Sequence, residues 1–296
     1  MATVKSFAVG VGDMFYIRHG SDSFTVIDCD LGEDNAEHII ADVKSASAGK
    51  GIFRFICTHP DEDHFGGLHL LDDAHPIANF YCVKNQATKD EDTDSFKRYC
   101  ALRDGSKAFF LQKGCKRKWL NESDDERKGA GIHCLWPDIS NSHFKEALAS
   151  CDAGESYNNT SAVIRYRASD WISFMWLGDL ETQFMDDIVD SIELEPTTVV
   201  FAAHHGRSSG KIPDSWLEQI KPKVIVLGEA PSRHLHYYTG YETLTQNSAG
   251  HITLVTEGAN LHIYVSSEDY ECTWLDNLAL ENLNDARYLG TLATEA

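Results

Sequence analysis

The sequence predicts an α/β fold built from two facing units whose strand ends meet at one edge. Three observations carry this. Short apolar, β-branched runs alternate with segments of helical periodicity. The same order of elements occurs twice: strand, strand, aspartate, helix, strand, histidine. The polar residues best suited to chemistry directly follow strands, where α/β folds gather their ligand sites.

In the first unit, residues 15–17 and 24–27 read as strands, with turn chemistry at 19–23 between them. Residues 34–46 carry Ala36, Ile39, Ile40 and Val43 at helical spacing. Residues 52–57, mostly apolar, suit a strand buried on both faces, and they run into Thr58-His59. In the second unit, 162–166 and 172–177 pair as strands and end at Gly178-Asp179. A helix follows at about 181–190, and the strand at 197–201 ends in His204-His205-Gly206.

Beyond the repeat, 224–227, 252–255 and 261–265 read as strands, the last closing the sheet, with a helix near 240–247. The stretch 84–157 is polar and irregular and is expected to be an insertion. The tail at about 270–296, with Trp274, Leu275, Leu278, Leu280 and Leu283, is expected to be an amphipathic helix, packed on the body or on another subunit. With 296 residues and 42% hydrophobic content, the chain supplies enough core for a single domain over 1–296.

Composition narrows the class. No run approaches the ~20 apolar residues of a membrane span, so no membrane association is expected. The start lacks a basic head followed by an apolar run, so no secretory signal is expected either. The eight cysteines form no C-x-x-C pair and read as reduced thiols of a cytoplasmic protein. Cys57, two residues before His59, reads as a core thiol. A formal charge of −20 works against indiscriminate nucleic-acid binding, but local fields still permit a nucleotide or nucleic-acid substrate. Lys116, Arg117 and Lys118, with Lys113, Arg127 and Lys128 nearby, read as a solvated loop or as a ledge for substrate phosphate.

The chemistry concentrates in His59-Pro60-Asp61-Glu62-Asp63-His64. Imidazole and carboxylate are the usual ligands of zinc and manganese. Four such groups in one turn crowd a single ion and point to two. Gly66-Gly67 let the backbone turn tightly beneath them. Helix capping explains one such residue but not two histidines and three acids. Glu62, flanked by the alternating ligands, is read as solvated.

These residues resemble the metallo-β-lactamase superfamily motif H-x-H-x-D-H, here in the form H-x-D-x-D-H. That form is similar to the hydrolase domain of ComEC-type DNA-uptake proteins and their stand-alone relatives. Val9-Gly10-Val11-Gly12-Asp13, Asn158-Asn159-Thr160-Ser161, Gly178-Asp179-Leu180-Glu181 and His204-His205-Gly206 fit the same group. The resemblance implies an αβ/βα four-layer sandwich, two packed sheets with helices outside, and two divalent ions, Zn2+ or Mn2+. By its pattern, His59 and Asp61 hold the first ion, Asp63 and His64 the second, and Asp179 bridges them. Asp63 also holds the attacking water. His205 matches the late histidine of the second ion, and His204 is the alternative ligand or a catalytic neighbour. Where relatives place a further histidine, this chain has Asn158 and Asn159, which shifts the balance towards manganese. His234 and His236 match a position that contacts the scissile phosphate, or are surface histidines. Asp13 and Asp28 read as structural supports of the loops.

The implied activity is hydrolysis of a phosphodiester, in a nucleotide or nucleic acid, by hydroxide generated between the ions. The alternatives are hydrolysis of a thioester, lactone or lactam on the same fold, and a binding module with a decayed site.

Overall fold

The computed structural model describes residues 1–230 and 236–295. In chain order the first half contains β1 (Ala2–Ser6), β2 (Phe15–Arg18), β3 (Ser23–Ile27), β4 (Cys29–Asp30), α1 (Ala36–Ser47), β5 (Ile52–Cys57), α2 (Glu62–Phe65), α3 (Leu68–Ala74) and β6 (Phe80–Val83). The middle adds α4 (Asp94–Arg103), β7 (Ala108–Leu111), β8 (Ile132–Trp136) and α5 (Ser142–Asp152). The second half contains β9 (Val163–Arg167), β10 (Ser173–Trp176), α6 (Thr182–Asp187), β11 (Val199–Phe201), α7 (Asp214–Ile220), β12 (Val224–Leu227), β13 (Thr243–Thr245), α8 (Gln246–Ala249), β14 (Ile252–Glu257), β15 (Asn260–Val265) and β16 (Arg287–Ala293).

The strands form two mixed sheets. The nine-stranded sheet has the order β16-β15-β14-β1-β2-β3-β5-β6-β7, and the six-stranded sheet β13-β12-β11-β10-β9-β8. The repeat read from the sequence recurs in the pairing. β2 runs antiparallel to β3, which is parallel to β5; β9 runs antiparallel to β10, which is parallel to β11.

Side-chain alternation explains the layering. Along β5, Ile56 faces the second sheet while Phe55 and Cys57 face helices. Ile17, Ile27 and Ile56 share one apolar cluster with Trp176, Phe201 and Val226. Phe15 seals the seam, its ring centroid 4.8 Å from Phe201 and 6.0 Å from Trp176. On the other face of the large sheet, Phe24, Phe55 and Phe80 pack on α1, α3 and α4 through Ile39, Val43, Leu71 and Tyr99. α6 and α7 cover the smaller sheet, tied by the Trp216 Nε1–H donating to the Met185 carbonyl (2.8 Å). The architecture is the expected sandwich of two packed sheets with helices outside.

Three expectations are corrected. The tail is not a helix: residues 274–286 are irregular, and β16 pairs with β15 as the edge of the large sheet. Arg287–Ala293 alternates in a way that suits an edge strand, while Leu278, Leu280 and Leu283 remain exposed rather than forming a buried stripe. β15 therefore does not close that sheet. Near 240–247 the Thr243-Leu244-Thr245 alternation makes β13 parallel to β12, with Leu244 buried, and only one helical turn follows. The middle segment, read as an insertion with a helix, some strand and loops, contains α4, α5 and the strands β7 and β8, each of which lies at an edge of one sheet.

Candidate metal centre

The turn after β5 and the turns after β10 and β11 meet at one edge. His59, His64, Asp179 and His205 are all buried there. His64 Nε2 lies 3.1 Å from Asp179 Oδ1. His205 Nε2 lies 3.4 Å from both Asp63 Oδ2 and Asp179 Oδ2, and its Nδ1 faces Asp13 Oδ1 at 3.2 Å. The His59 and His64 rings are 4.1 Å apart. Ligand-capable atoms of Asp13, His64, Asp179 and His205 all fall within 4.8 Å of one another.

Backbone geometry sets this up. His204 and His205 both adopt positive φ, 51° and 55°. Such conformations cost about 1–3 kcal/mol each in a non-glycine residue and persist where surrounding structure dictates them. Here they turn the chain so that consecutive imidazoles both face Asp179. Gly228 permits the turn, since a Cβ there would lie 3.1 Å from the His205 Cα. Gly178, at φ 54°, lets Asp179 approach: an added Cβ would meet Ser161 Oγ at 2.6 Å. The Ser161 hydroxyl then receives the Asp179 N–H at 2.9 Å.

The electrostatics are those of anions collected around imidazoles. Burial works against ionisation of Asp63, but the neighbouring His205 and His64 imidazoles outweigh it and hold the carboxyl at about 2. Asp179 is driven well below the usual carboxylate range, because His64 and His205 overcome its burial. Burial would discharge His64 and His205, yet Asp179 and Asp28 around the first, and Asp13 and Asp179 around the second, hold both well above the ordinary imidazole value. His59, buried and beside His64, falls to about 4. Asp30, buried beside Asp63, rises to about 6.

The donor set fits divalent cations. His59 Nε2, His64 Nε2, both nitrogens of His205 and Asp179 Oδ1 are buried without an aligned hydrogen bond. Several meet opposite charge at ion-pair distance. Buried polar atoms left so cost stability unless something else satisfies them. A cation among them would do that, with imidazole nitrogen and carboxylate oxygen as ligands.

Two carboxylates missed as functional by sequence reasoning complete the centre. Asp28 accepts the Thr58 N–H (2.7 Å) and Thr58 hydroxyl (2.6 Å), and its Oδ2 meets His64 Nδ1 at 2.9 Å. It orients His64 so that Nε2 faces the cluster. Asp13 stands in the corresponding place behind His205. Carboxylates behind ligating histidines fix tautomer and ring direction. In the sequence Asp28 follows a strand and Asp13 ends the segment Val9-Gly10-Val11-Gly12-Asp13 that fits the family resemblance, and both read as structural supports.

The other expected residues divide. Asp61 caps α2 through the Glu62 N–H and is ion-paired with Lys89 at 2.8 Å, its Oδ1 taking both. It still acts electrostatically on His59. Glu62 accepts the Thr93 hydroxyl at 2.9 Å, away from the histidines. His204 sits at the rim, Nδ1 bonded to Ser209 (2.9 Å) and Nε2 3.7 Å from Asp179. The buried His205 is therefore the better placed of the pair to ligate.

Asn159 is spent: its amide receives the Glu181 N–H (3.0 Å) and donates to the Glu181 carboxylate (2.9 Å), bracing the Asp179 loop. Asn158 is half-buried, and its carbonyl receives the Ser161 hydroxyl (2.6 Å). Cys57 is a core thiol donating to the His59 carbonyl. Lys116, Arg117 and Lys118 do not join the centre. Arg117 lies over Phe109, Lys118 pairs with Asp124, and Lys116 lines a groove between β7 and α5. His236 is exposed, and His234 lies outside the described residues.

Residues 8–99, which carry the H-x-D-x-D-H turn, match the family model "Metallo-beta-lactamase superfamily". The chain is 19% identical over 201 residues to ComE operon protein 3 of Bacillus subtilis (strain 168). That alignment covers 68% of this chain and 23% of that protein, so the chain spans about a quarter of its relative's length. A solved structure, Igni18, a novel metallo hydrolase from the hyperthermophilic archaeon Ignicoccus hospitalis KIN4/I, is 13% identical with a TM-score of 0.46, covering 86% of this chain and all of that one. No helix among the described residues is long and apolar enough to cross a membrane.

Proposed function

We propose that this protein is a metal-dependent phosphodiesterase or nuclease. The observation that carries the reading is the buried, unsatisfied set of imidazole nitrogens around Asp179, built from an H-x-D-x-D-H turn and a distant His-His-Gly turn. His64, Asp63 and His205 would hold one ion. His59, with Asp61 at its side, would contribute to a second, and Asp179 would lie between them. Divalent ions there, manganese or zinc, supply Lewis acidity towards a phosphoryl oxygen and make hydroxide available near neutral pH.

The remaining work falls to the chain. Asp63, held ionised, accepts a hydrogen bond from the attacking water and aims it. Asp28 and Asp13 keep two imidazoles turned inward. His204, at the rim and tethered to Ser209, relays a proton to the leaving oxygen. Asp61 in place of the superfamily's second histidine favours a phosphodiester over a thioester, lactone or lactam.

The test is turnover of bis-p-nitrophenyl phosphate by protein supplied with Mn2+ or Zn2+. Turnover should require the metal and fall by about a hundredfold in Asp63→Asn, the scale of losses at metal-site positions. Metal-replete protein that leaves this ester intact while cleaving a thioester or lactone would overturn the phosphodiester assignment.

A further inference from the structure

A groove that shares no lining residue with the metal centre lies where the edges of the two sheets approach each other. There β7 edges the large sheet and α5 runs beside the edge of the smaller one. The groove between them has a volume of about 800 Å³. Phe109, Leu111 and Phe144 form its floor, while Phe110 (39% exposed) and Ile139 (55% exposed) leave apolar surface at its rim. Small-molecule sites are clefts of roughly this size, mostly apolar with a few placed polar groups.

The charge around it departs from that of the molecule. The chain carries 46 acidic and 26 basic residues. Yet Lys84, Lys116 and Lys145 all line this groove, and among the described residues none of the three has an acidic partner. Lys84 rests its ammonium over the Phe110 ring, 5.7 Å from the centroid. The acid that lines the groove, Asp152, already accepts the Gln86 N–H at 2.6 Å. Three cations without anions beside an apolar floor complement a ligand with an apolar body and an anionic head.

We propose that this groove binds a small soluble amphiphilic anion: an alkyl or aromatic body carrying a carboxylate, sulfonate or phosphate. The body lies along Phe110 and Phe144, and the head meets Lys116 and Lys145. The groove shares no residue with the metal centre, so binding here is independent of the hydrolytic reading.

Fluorescence titration of the full chain with 1-anilinonaphthalene-8-sulfonate tests this. Saturable one-to-one binding is expected. Dodecanoate and dodecyl phosphate should displace the probe, and dodecyltrimethylammonium should not. Affinity should fall about tenfold or more in Phe110→Asp and in the double variant Lys116→Glu/Lys145→Glu, with unchanged melting and unchanged binding in Asp179→Asn. Because all three substituted side chains are exposed, the fold should survive; Lys116→Gln/Lys145→Gln is the milder check and should weaken binding in the same direction. Unsaturable binding, displacement by the cation as readily as by the anions, undiminished affinity in the variants, or binding only of anions presented on vesicles would each overturn the proposal.

Discussion

Asp179→Asn should remain folded, melt near the metal-free wild type and lose at least about a hundredfold in turnover. Asp179 presents one oxygen to His64 at 3.1 Å and the other to His205 at 3.4 Å, with His204 3.7 Å away. A neutral amide keeps the size but removes the charge at the meeting point of three imidazoles. The support of the loop is untouched, because the residue's N–H still reaches Ser161 and Glu181 still holds Asn159. A capping role is set aside by the structure: Glu181, not Asp179, stands at the N-cap of α6. Activity assay, melting curve and metal content on one preparation check the prediction. Full activity with metal retained would remove Asp179 from the centre.

Asp28→Asn should weaken metal binding by about ten- to a hundredfold, although the residue would touch no ion. One oxygen holds the Thr58 N–H and can remain an amide oxygen. The other faces the Thr58 hydroxyl and His64 Nδ1, and there the amide presents N–H groups. His64 must then accept at Nδ1, which places its proton on Nε2, the nitrogen that faces Asp179. A ring protonated there cannot ligate. Asparagine tolerates the positive φ of 54° at this position, so backbone strain does not confuse the result. Excess metal should restore most of the turnover, whereas damage to the fold would not be rescued. Metal affinity equal to that of the wild type would show that Asp28 only braces the loop.

The parts of this account that were legible in the sequence are those set by local pattern. The apolar run before His59 made β5 recognisable because it is buried on both faces, with Ile56 on one sheet interface and Phe55 on the helices. The H-x-D-x-D-H turn and His204-His205-Gly206 were legible because their residue types are rarely needed together for structure. What was not legible depends on where distant segments land. Asp13 lies near the start of the chain, and only folding puts it 3.2 Å from His205. Asn159 matches a ligand position in sequence, but its amide is consumed by Glu181. Asp61 alternates like a ligand, yet Lys89 claims one of its oxygens. The leucines of the tail scatter in sequence in a way that mimics an amphipathic helix, whereas pairing of β16 with β15 decides its structure. Lys116 and its neighbours read as a solvated loop or a phosphate ledge, and folding places Lys116 at the groove between β7 and α5.

The central claim is that this edge of the sandwich holds metal, and elemental analysis of the full chain tests it most directly. After purification without chelator and refeeding with Zn2+ and Mn2+, the account predicts between one and about two equivalents per chain. The ion proposed for Asp63, His64 and His205 should be retained longest, because His64 and His205 contribute most of the buried, unsatisfied ligand nitrogens. Less than about a tenth of an equivalent under those conditions would contradict the account, for nothing else in it gives buried, unsatisfied imidazole nitrogens a reason to converge on Asp179.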